Sequence, residues 1–487
     1  MESVHLSYVD DVYARIDAEP GILREISDHF TYFAANYKYH PKYRARVWDG
    51  KIRLLNTKTN LIYVGLAKRI KKFCDSRGYE FTFDKELTYE NVSEQEIKEH
   101  INSLKIPKEY IDRNYQFNSV VKCIRTGRRT LLSPTSSGKS LIIYIISTWY
   151  KEHKKLIIVP TIQLVNQLEG DFRDYGFKGK IHKSTDGLSK LTNIDADVVI
   201  TTWQSLNNGK TKMSPKWYEQ FGVVFGDEAH GAKAVSMIEI LSNLKECRYR
   251  FGTTGTLDNE PLNEATIEGL FGPKYQSIST MEMIEQGYAS KLKIKCLVLR
   301  YPKSDCDLAK KMDYHKEIQF LVNHTKRNLF IKNLTLSLTG NKLIFFRLRD
   351  HGDIIYQLLV DAGRKNVFHI DGTVDVETRE QIRKAIENSE DCELVASMGT
   401  TSTGTNIKRL HHMIAGSPSK SKIKILQSIG RMLRLHKEKE ESGAVLYDIV
   451  DDLKAGTREN FTLKHFAERC KVYDSEQFDY KIYNIKI

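Results

Sequence analysis

The 487-residue sequence lacks several features that would place it in other classes of protein. No apolar run approaches the ~18–20 residues that cross a bilayer, even around residues 141–146. The first residues contain neither the basic segment nor the apolar segment of a signal peptide. We therefore expect a soluble, unsecreted protein with no membrane partner.

The cysteines lack the spacing of a metal site or of a disulfide framework. There are seven, an odd number, and no two are spaced as Cys-x-x-Cys. Both kinds of site need paired spacings. The adjacent His411 and His412 are not four residues apart, as two metal ligands on one helix face would be. We predict buried or incidental thiols in a reducing compartment and no metal cage.

The composition is that of a globular protein with an excess of positive charge. The sequence is 40% hydrophobic and 28% charged, which argues against extensive disorder. The length corresponds to two to four domains. The net charge of +13 fits either a solvated surface or a polyanionic partner, with nucleic acid favoured over a membrane.

The amino-terminal part of the chain differs in pattern from the rest. Residues 1–90 contain short β-like runs and small helical patterns, and they predict a small α+β domain. Residues 91–109 are mostly polar, with Ser93 and Glu96 in the spacing of a helix capping box. We interpret this second segment as a linker helix rather than as part of a core.

From residue 110 onward, short apolar runs alternate with amphipathic helical stretches. This alternation predicts βαβ units and therefore parallel sheets covered on both faces. There is room for two such α/β domains, one over residues 110–285 and one over residues 286–487. The predicted strands are at 130–132, 156–159, 198–200, 223–225, 342–346, 366–370, 393–396 and 413–415.

The segment after the first of these strands resembles a Walker A phosphate-binding loop. It reads Ser-Pro-Thr-Ser-Ser-Gly-Lys-Ser over residues 133–140, with Ser133 in place of the usual first glycine. In such a loop Gly138 allows close backbone approach, Lys139 reaches the β- and γ-phosphates, and Ser140 ligates Mg²⁺. The candidate ATP-binding residues are Thr135, Ser136, Ser137, Gly138, Lys139 and Ser140.

Two consecutive carboxylates follow the apolar run at 223–225. Asp227 can hold the metal ion, as a Walker B acid does. Glu228 can orient and deprotonate the water that attacks the γ-phosphate. Adjacent acids after a strand are often only a solvated loop, but a preceding phosphate loop makes the catalytic interpretation stronger.

With these motifs in this order, the sequence from about residue 110 resembles the superfamily-2 helicases of the DEAH-box type. The resemblance implies two RecA-like motor domains that use ATP and Mg²⁺. Residues 113–116 resemble the segment that contacts adenine, and residues 159–167 and 201–206 resemble two motifs that contact the nucleic-acid strand. Residues 253–256 fill the place of motif III. The residues implied are Arg113 and Gln116 for ATP, and Pro160, Thr161, Gln167, Thr202 and Gln204 for nucleic acid.

The second α/β region carries the remaining motifs of the family. Residues 400–407 are similar to motif V, with Gly404 as a nucleotide contact and Asn406 where many relatives have aspartate. Residues 427–434 match the Gln-x-x-Gly-Arg-x-x-Arg form of motif VI. Arginines three residues apart on a helix share one face, and their forked donors suit a polyphosphate. The resemblance implies catalytic roles for Lys139, Glu228, Gln427, Arg431 and Arg434.

The basic residues are concentrated in the amino-terminal region. Residues 38–77 contain twelve Lys or Arg against two Asp, an excess of +10, with tyrosines and a tryptophan interleaved. Such a segment can pair with phosphates and stack on unpaired bases, although a solvated face is the simpler interpretation. Asp49-Gly50 predicts a hairpin turn between residues 47–48 and 51–54. The nucleic-acid candidates are Lys68, Arg69, Lys71 and Lys72.

A small basic domain ahead of two motor domains most resembles the recombination helicases of T-even phages. That resemblance implies ATP-dependent 3′-to-5′ unwinding of branched recombination and replication DNA by a monomer. RNA–DNA hybrids are a further substrate, and the cytoplasm of an infected bacterium is the setting. The alternatives are a duplex translocase that does not separate strands, an RNA helicase, and a non-enzymatic nucleic-acid-binding protein with an inactive ATPase.

Overall fold

The computed structural model describes residues 2–89, 91–107, 110, 113–184, 194–207, 210, 212–258, 260–401, 407–417, 421–439 and 443–487. The chain divides into two compact units. The first comprises the chain up to residue 133 together with residues 138–277, and the second comprises residues 278–487 with the segment 134–137. No helix within the described ranges is long and apolar enough to cross a bilayer.

The strands, numbered in chain order, fall into two small sheets and two large ones. They are β1 (Ser3–Tyr8), β2 (Tyr13–Ala18), β3 (Thr31–Phe33), β4 (Lys51–Arg53), β5 (Leu61–Tyr63), β6 (Glu80–Phe83), β7 (Arg128–Leu132), β8 (Lys155–Val159), β9 (Ile181–Ser184), β10 (Val198–Thr202), β11 (Val223–Asp227), β12 (Tyr249–Thr254), β13 (Lys274–Gln276), β14 (Leu292–Arg300), β15 (Lys342–Phe346), β16 (Val367–Ile370), β17 (Glu393–Ser397), β18 (His412–Ala415), β19 (Ala444–Asp452) and β20 (Tyr480–Lys486).

The α-helices are numbered in the same way. They are α1 (Pro20–His29), α2 (Pro41–Arg44), α3 (Ala67–Arg77), α4 (Glu94–Ser103), α5 (Asn114–Thr126), α6 (Lys139–Trp149), α7 (Ile162–Asp174), α8 (Trp203–Leu206), α9 (Pro215–Tyr218), α10 (Val235–Asn243), α11 (Pro261–Phe271), α12 (Thr280–Glu285), α13 (Lys303–Ala309), α14 (Tyr314–Asn323), α15 (Thr325–Ser337), α16 (Arg349–Asp361), α17 (Val376–Glu387), α18 (Met398–Thr401), α19 (Lys422–Met432) and α20 (Phe461–Ser475).

The amino-terminal region forms a four-stranded sheet of order β5-β2-β1-β6 and a separate two-stranded ribbon of β3 and β4. The predicted hairpin at Asp49-Gly50 is wrong, because β4 pairs antiparallel with β3, where Tyr32 lies opposite Ile52. The Asp49-Gly50 turn instead leads the chain into β4. Asp49 Oδ1 accepts the Lys51 N–H at 3.0 Å, and Gly50 has a φ of +77°.

This region packs directly on α11 of the first unit. A Cβ at Gly65 would lie 2.0 Å from the Glu268 carbonyl oxygen, so the two backbones approach closely there. Arg69 Nε donates to Glu268 Oε2 at 2.7 Å. On the other side, Arg128 Nη2 donates to the Asp11 carbonyl at 2.6 Å. The contact is therefore fixed by tight backbone packing as well as by charge.

The first large sheet is entirely parallel, in the order β13-β7-β12-β11-β8-β10-β9. Every residue of β8 and β10 is buried, as expected where helices cover both faces of a parallel sheet. Along β8, Ile157 and Val159 join one core cluster, while Leu156 and Ile158 join the other. The second large sheet is also parallel, in the order β16-β17-β15-β18-β19-β14-β20. The predicted fold, two RecA-like α/β domains after a small α+β domain, is confirmed.

The segment interpreted as a linker belongs to the core of the first unit. The helix α4 is present, and Ser93 and Glu96 form the predicted capping box. However, Ile97 is completely buried and Ile101 is nearly so, and both pack in the cluster that covers one face of the first large sheet. The polar composition of the segment reflects the exposed face of this helix. The buried face contributes to the core.

The cysteines are free thiols, as predicted. Six of the seven are buried and Cys470 is half-buried. Burial raises the pKa of the Cys74 thiol to about 11 and that of the Cys123 thiol to about 12. These groups therefore behave as small apolar side chains at neutral pH.

Candidate nucleotide and nucleic-acid sites

The order of strands in the first large sheet sorts the predicted motifs along one edge. The phosphate loop follows β7, motif III follows β12 and the two acids follow β11, and these three strands are neighbours. The motifs predicted to contact nucleic acid follow β8 and β10, the next two strands. Since all of these strands are parallel, every motif lies at the carboxyl edge, the usual ligand-binding edge of such sheets.

The phosphate loop has the backbone conformation that phosphate binding requires. Gly138 is the N-cap of α6 and has a φ of +82°, and Ser136 has a φ of +68°. The Ser137 hydroxyl donates to the Pro134 carbonyl at 2.7 Å and so closes the loop. The N-terminus of α6 follows directly, with the free N–H groups and positive dipole end that bind anions.

The two polar side chains at the start of α6 are held by the protein. Lys139 Nζ donates to the Ser133 carbonyl at 3.2 Å, so the ammonium group is turned back over the loop. The Ser140 hydroxyl lies 3.1 Å from the Tyr175 hydroxyl. Both contacts are single hydrogen bonds between neutral or singly charged partners. A polyphosphate offers stronger, charge-assisted partners to the same groups.

Gln116 lies against the phosphate loop. It is buried on α5, and a Cβ added to Gly138 would lie 2.2 Å from its Nε2. Arg113 is the N-cap of α5, and its Nη1 donates to the Tyr115 hydroxyl at 3.0 Å. The structure places both residues at the start of the helix that precedes β7. Their contact with adenine stays a prediction.

Asp227 and Glu228 lie at the end of β11 in different environments. Asp227 Oδ1 accepts from the Thr253 hydroxyl at 2.6 Å. Burial and the neighbouring Glu228 raise the pKa of Asp227, and the Lys139 ammonium opposes that shift. Glu228 has a φ of +52°, in the left-handed region that a non-glycine residue rarely adopts.

A histidine and a threonine connect these acids to the phosphate loop. His230 Nδ1 lies 3.2 Å from Glu228 Oε2 and 3.0 Å from Thr254 Oγ1. The Thr254 carbonyl accepts the Ser133 N–H at 2.8 Å. Sequence reasoning assigned no role to His230 and left individual roles in residues 253–256 open. In the sequence, these residues could be found only as parts of motifs. Their contacts with one another join the ends of three separate strands, which the sequence does not bring together.

The residues predicted to contact nucleic acid divide into two groups. Gln167 and Gln204 are exposed on α7 and α8. The two threonines are helix N-caps instead: Thr161 Oγ1 accepts the Leu164 N–H at 3.4 Å, and Thr202 Oγ1 accepts the Ser205 N–H at 3.2 Å. Pro160, half-buried, directly precedes the Thr161 cap. These assignments remain predictions, with a structural role added for the threonines.

In the second unit, the structure changes the geometry expected for motif VI. Gln427 and Arg431 lie on α19, but the helix ends at Met432, so Arg434 lies beyond it. The prediction that Arg431 and Arg434 share one helix face is therefore wrong. The cause lies in contacts from elsewhere in the second unit, since the carbonyls of residues 432–434 accept bonds from Lys439 and Ser290 rather than continuing the helix. Gly404 and Asn406 of motif V lie outside the described residues.

The four basic candidates on α3 are not equivalent. Lys68, Lys71 and Lys72 are exposed, and Lys71 pairs with Asp75 at 2.8 Å. Arg69 is half-buried in the ion pair with Glu268 that joins α3 to α11. Its guanidinium therefore stabilises the contact between the amino-terminal sheet and the first large sheet, and the three lysines are the better candidates for phosphate contacts.

Comparison with known proteins accounts for nearly the whole chain. Residues 3–84 match the family model for the N-terminal region of DNA helicase UvsW, residues 87–259 that for the res subunit of type III restriction enzymes, and residues 325–436 the helicase conserved C-terminal domain. The ATP-dependent DNA helicase UvsW of Enterobacteria phage T4 is 34% identical, covering 99% of this chain and 100% of the relative. The chain belongs to the UvsW family of ATP-dependent DNA helicases.

Solved structures agree with this assignment. The crystal structure of T4 UvsW has a TM-score of 0.52 at 32% identity, with 99% of each chain covered. A DNA-bound type ISP restriction-modification enzyme, LlaBIII, has a TM-score of 0.56 at 14% identity, over 85% of this chain and 34% of that one. The second match shows the fold alone. Membership of the UvsW family confirms the predictions of an ATP-dependent helicase and of nucleic acid as its partner.

The residues present fit the ATP that a UvsW-type helicase uses. The loop supplies a helix N-terminus with glycine at the position where a Cβ would collide with Gln116. The donor set of one hydroxyl, Ser140, and one half-buried carboxylate, Asp227, is the oxygen chemistry that Mg²⁺ prefers. A cation held at Asp227 would oppose the rise in its pKa that burial and Glu228 cause.

Proposed function

We propose that this UvsW-family helicase unwinds branched recombination and replication DNA in the 3′-to-5′ direction. The observation that carries the proposal is the order of motifs along the carboxyl edge of the first large sheet. The nucleotide motifs after β7, β12 and β11 directly adjoin the strand-contacting motifs after β8 and β10. A change in the nucleotide site can therefore reach the polymer site through neighbouring strands.

Each charged group at this edge has a distinct part in ATP hydrolysis. Lys139 would exchange its single bond to the Ser133 carbonyl for the γ-phosphate and so stabilise the transition state. Ser140 and Asp227 would hold Mg²⁺, which neutralises phosphate charge when bound. Glu228, oriented by His230, accepts the proton of the attacking water. In the second unit, Arg431 and Arg434 offer forked donors of the kind that suit the charge of a transferred phosphoryl group.

A chain of contacts from Glu228 through His230 and Thr254 to Ser133 provides a physical route for coupling, with hydrogen bonds from His230 to Thr254 and from Ser133 to Thr254. It joins the general base, motif III and the phosphate loop by contacts of 2.8–3.2 Å. Movement of the phosphate loop on nucleotide exchange would shift the end of β12 and with it the base. That arrangement supports a motor rather than a passive nucleotide-binding protein.

The amino-terminal region supports the choice of branched DNA. Its excess positive charge lies mainly on α2, α3 and β4. The region is fixed to the rest of the first unit by the Gly65 contact and the Arg69–Glu268 pair. A second basic surface beside a motor allows two arms of a branch to be held at once. We include Lys68 and Lys72 of α3 in this surface.

Strand displacement with defined substrates tests the proposal. The experiment compares five substrates in the presence of ATP. They are a duplex with one 3′ tail, a duplex with one 5′ tail, a fork with two tails, a blunt duplex and an RNA–DNA hybrid. We expect displacement with the 3′ tail and with forks. ATP turnover on the blunt duplex without displacement would indicate a translocase, and displacement only from 5′ tails would contradict the polarity.

A further inference from the structure

The amino-terminal region contains a cleft that is distinct from the lysines of α3. It is an open depression of about 500 Å³ lined by Lys38, Tyr43, Arg44, Arg46, Val47, Trp48 and Asp49. Three of these side chains are cationic and one is acidic. The acid, Asp49, is paired with Arg53 at 2.6 Å, so the net charge presented by the lining is positive. A polyanion is the complementary ligand.

The aromatic rings around the cleft are fixed before any ligand arrives. Phe33 and Tyr37 stack with ring centroids 4.6 Å apart, and Tyr43 packs edge-on against Tyr37 at 4.9 Å. The Trp48 indole donates to the Lys51 carbonyl at 2.9 Å and contacts the His40 ring at 5.2 Å. Little side-chain entropy remains to be lost on binding, which favours a recognition surface.

Large apolar side chains remain exposed beside these rings. The side chain of Val47 is 77% exposed and that of Tyr39 is 72% exposed. Cations lie over the rings: Arg44 is 5.9 Å from the Tyr39 centroid and Lys51 is 5.4 Å from the Phe33 centroid. Arg46 has a φ of +57°, a strained conformation for a side chain with a Cβ. Exposed apolar surface interleaved with positive charge is unusual for a merely solvated face.

We propose that this cleft binds unpaired DNA, with bases against the Trp48 and Tyr43 rings and phosphates against Lys38, Arg44 and Arg46. Bases in a duplex are already stacked on both faces, so only an unpaired strand can use the rings. The choice of DNA as the polymer rests on the proposed function. The inference adds a ligand to the proposed function, because the amino-terminal region would bind the unpaired arm of a branch.

Binding of an oligothymidylate and of a blunt duplex to the full chain, without ATP and over a range of salt, tests the cleft. Replacing Lys38 and Arg44 together by alanine should reduce the log–log salt slope for oligothymidylate by about 1.4, or about 0.7 per lost contact. The slope for the blunt duplex should not change. Lys98→Ala combined with Lys151→Ala removes the same charge from exposed sites elsewhere in the first unit and should leave both slopes unchanged.

Two substitutions at Trp48 separate stacking from packing. Trp48→Leu and Trp48→Phe both lose the indole bond to the Lys51 carbonyl, but only phenylalanine keeps an aromatic face. Trp48→Leu should weaken oligothymidylate binding about 5- to 150-fold, and Trp48→Phe should restore most of it. The proposed binding of DNA in the cleft is overturned if two results are found together. Both Trp48 variants bind oligothymidylate as tightly as wild type, and the variant without Lys38 and Arg44 keeps the wild-type salt slope. Strand displacement by wild type decides the proposed function separately.

A second inference concerns the backbone that carries Arg434. Three successive carbonyls, beginning with that of the last residue of α19, are each bound by a side chain or amide from elsewhere in the second unit. Lys439 Nζ donates to the Met432 carbonyl at 2.8 Å, and the Ser290 N–H donates to the Leu433 carbonyl at 2.8 Å. The Ser290 hydroxyl donates to the Arg434 carbonyl at 3.1 Å. Ser290 and Lys439 are both buried.

We infer that Ser290 and Lys439 are positioning residues that fix the backbone of Arg434 for ATP hydrolysis. Burial lowers the pKa of Lys439 to about 8, so retaining a cation there costs stability. An apolar residue of similar size would avoid that cost. The presence of lysine is explained by its bond to the Met432 carbonyl. The inference rests on the role proposed for Arg434.

Steady-state hydrolysis with saturating DNA tests this inference. Lys439→Met should lower kcat about tenfold or more, leave the KM for ATP within about twofold and keep the melting temperature, because a buried charge has been removed. Lys439→Arg should restore part of kcat. The positioning role is overturned if kcat is unchanged in both Lys439→Met and Ser290→Ala. It is also overturned if kcat falls only in proportion to a lower melting temperature. Full activity of Arg434→Ala would instead remove the role proposed for that arginine.

Discussion

The two large sheets share a parallel seven-stranded architecture but bury arginine in different ways. Arg250, on β12 of the first sheet, donates to the backbone carbonyls of Leu241, Leu244 and Leu270 at 2.6–3.0 Å. Arg327, on α15 beside the second sheet, binds both carboxylate oxygens of Asp451 at 2.7 and 3.1 Å. Both side chains are almost inaccessible to solvent.

The pKa values of the two arginines reflect these partners. Burial lowers the pKa of Arg250 to about 10, since neutral carbonyls only partly replace water. Burial acts on Arg327 in the same direction, but the Asp451 carboxylate outweighs it and raises the pKa. A second buried pair, Arg469 with Asp448, also lies in the second unit. Buried ion pairs thus support the second unit at these two places, and the first unit has such a pair too, Arg128 with Asp11 at 3.4 Å. For the charged groups at the edge of the first sheet we propose a role in chemistry instead.

The largest effect on activity should come from that edge. Lys139→Ala should lower DNA-stimulated ATP hydrolysis by about 10²- to 10³-fold or more, because a positioned charge on the γ-phosphate acts mainly in the transition state. Binding of DNA and the melting temperature should change little, since Lys139 makes one 3.2 Å bond within its own loop. Phosphate release and thermal melting are the measurements. Hydrolysis at the wild-type rate would remove the phosphate-loop assignment.

The largest effect on stability should come from the second sheet. Asp451→Asn leaves the buried Arg327 without its counter-ion and should reduce the free energy of unfolding by about 3–5 kcal/mol. Arg250→Met, in the first sheet, removes a charge that is held by hydrogen bonds to backbone carbonyls, and should cost less, about 1–3 kcal/mol. Urea denaturation of both variants makes the comparison.

A double replacement sharpens the same contrast. Arg327→Met combined with Asp451→Leu removes both charges and should recover most of the stability lost in Asp451→Asn. Recovery would show that the pair matters through charge compensation. A double variant as unstable as the single one would indicate that shape and the further hydrogen bonds, from Tyr301 to Asp451 and from Arg327 to Gly416, dominate instead.

A smaller effect is expected from the backbone of the phosphate loop. Gly138→Ala forces a Cβ into a φ of +82° and to within 2.2 Å of Gln116 Nε2, and should raise the KM for ATP about tenfold. Gly78→Ala is the matched control, because it has a φ of +76° with no atom within 4 Å of the added Cβ. That variant should lose a little stability and keep its KM. Equal KM values for the two variants would contradict the role of Gly138 in the phosphate loop.

The smallest effect should come from the support of Asp227. Thr253→Val keeps the shape of the side chain and removes the 2.6 Å hydrogen bond to the carboxylate. One such bond contributes about 0.5–1.5 kcal/mol, so kcat should fall up to about tenfold with no change in the fold. Initial rates at saturating ATP measure it, and a rate equal to wild type would show that Asp227 is positioned by its strand alone.

The sequence predicted the elements whose signals are local. The strands at 156–159, 223–225 and 342–346 lie within a residue or two of their observed bounds, because continuous apolar runs flanked by turn chemistry are typical of doubly covered strands. The phosphate loop and the acids were likewise predicted from short motifs. Their places at neighbouring strand ends follow from the sheet order, which no single segment of the sequence specifies.

What the sequence could not predict depends on contacts distant along the chain. The partner of Arg69, Glu268, is 199 residues away, so its ion pair could not be distinguished from an exposed charge. The end of α19 before Arg434 depends on Ser290, 144 residues earlier. The core position of α4 depends on strands that follow it. In each case a tertiary partner distant along the chain decided the role of the residue or helix.

The most direct test of the central claim is hydrolysis and DNA trapping by Glu228→Gln. Glutamine keeps the shape of the side chain and removes the base, so ATP should still bind while hydrolysis falls about 10²- to 10⁴-fold. The variant should then hold forked DNA in a long-lived complex that forms with ATP and not without it. Wild-type hydrolysis together with no ATP-dependent complex would contradict the assignment of the catalytic edge to the first large sheet.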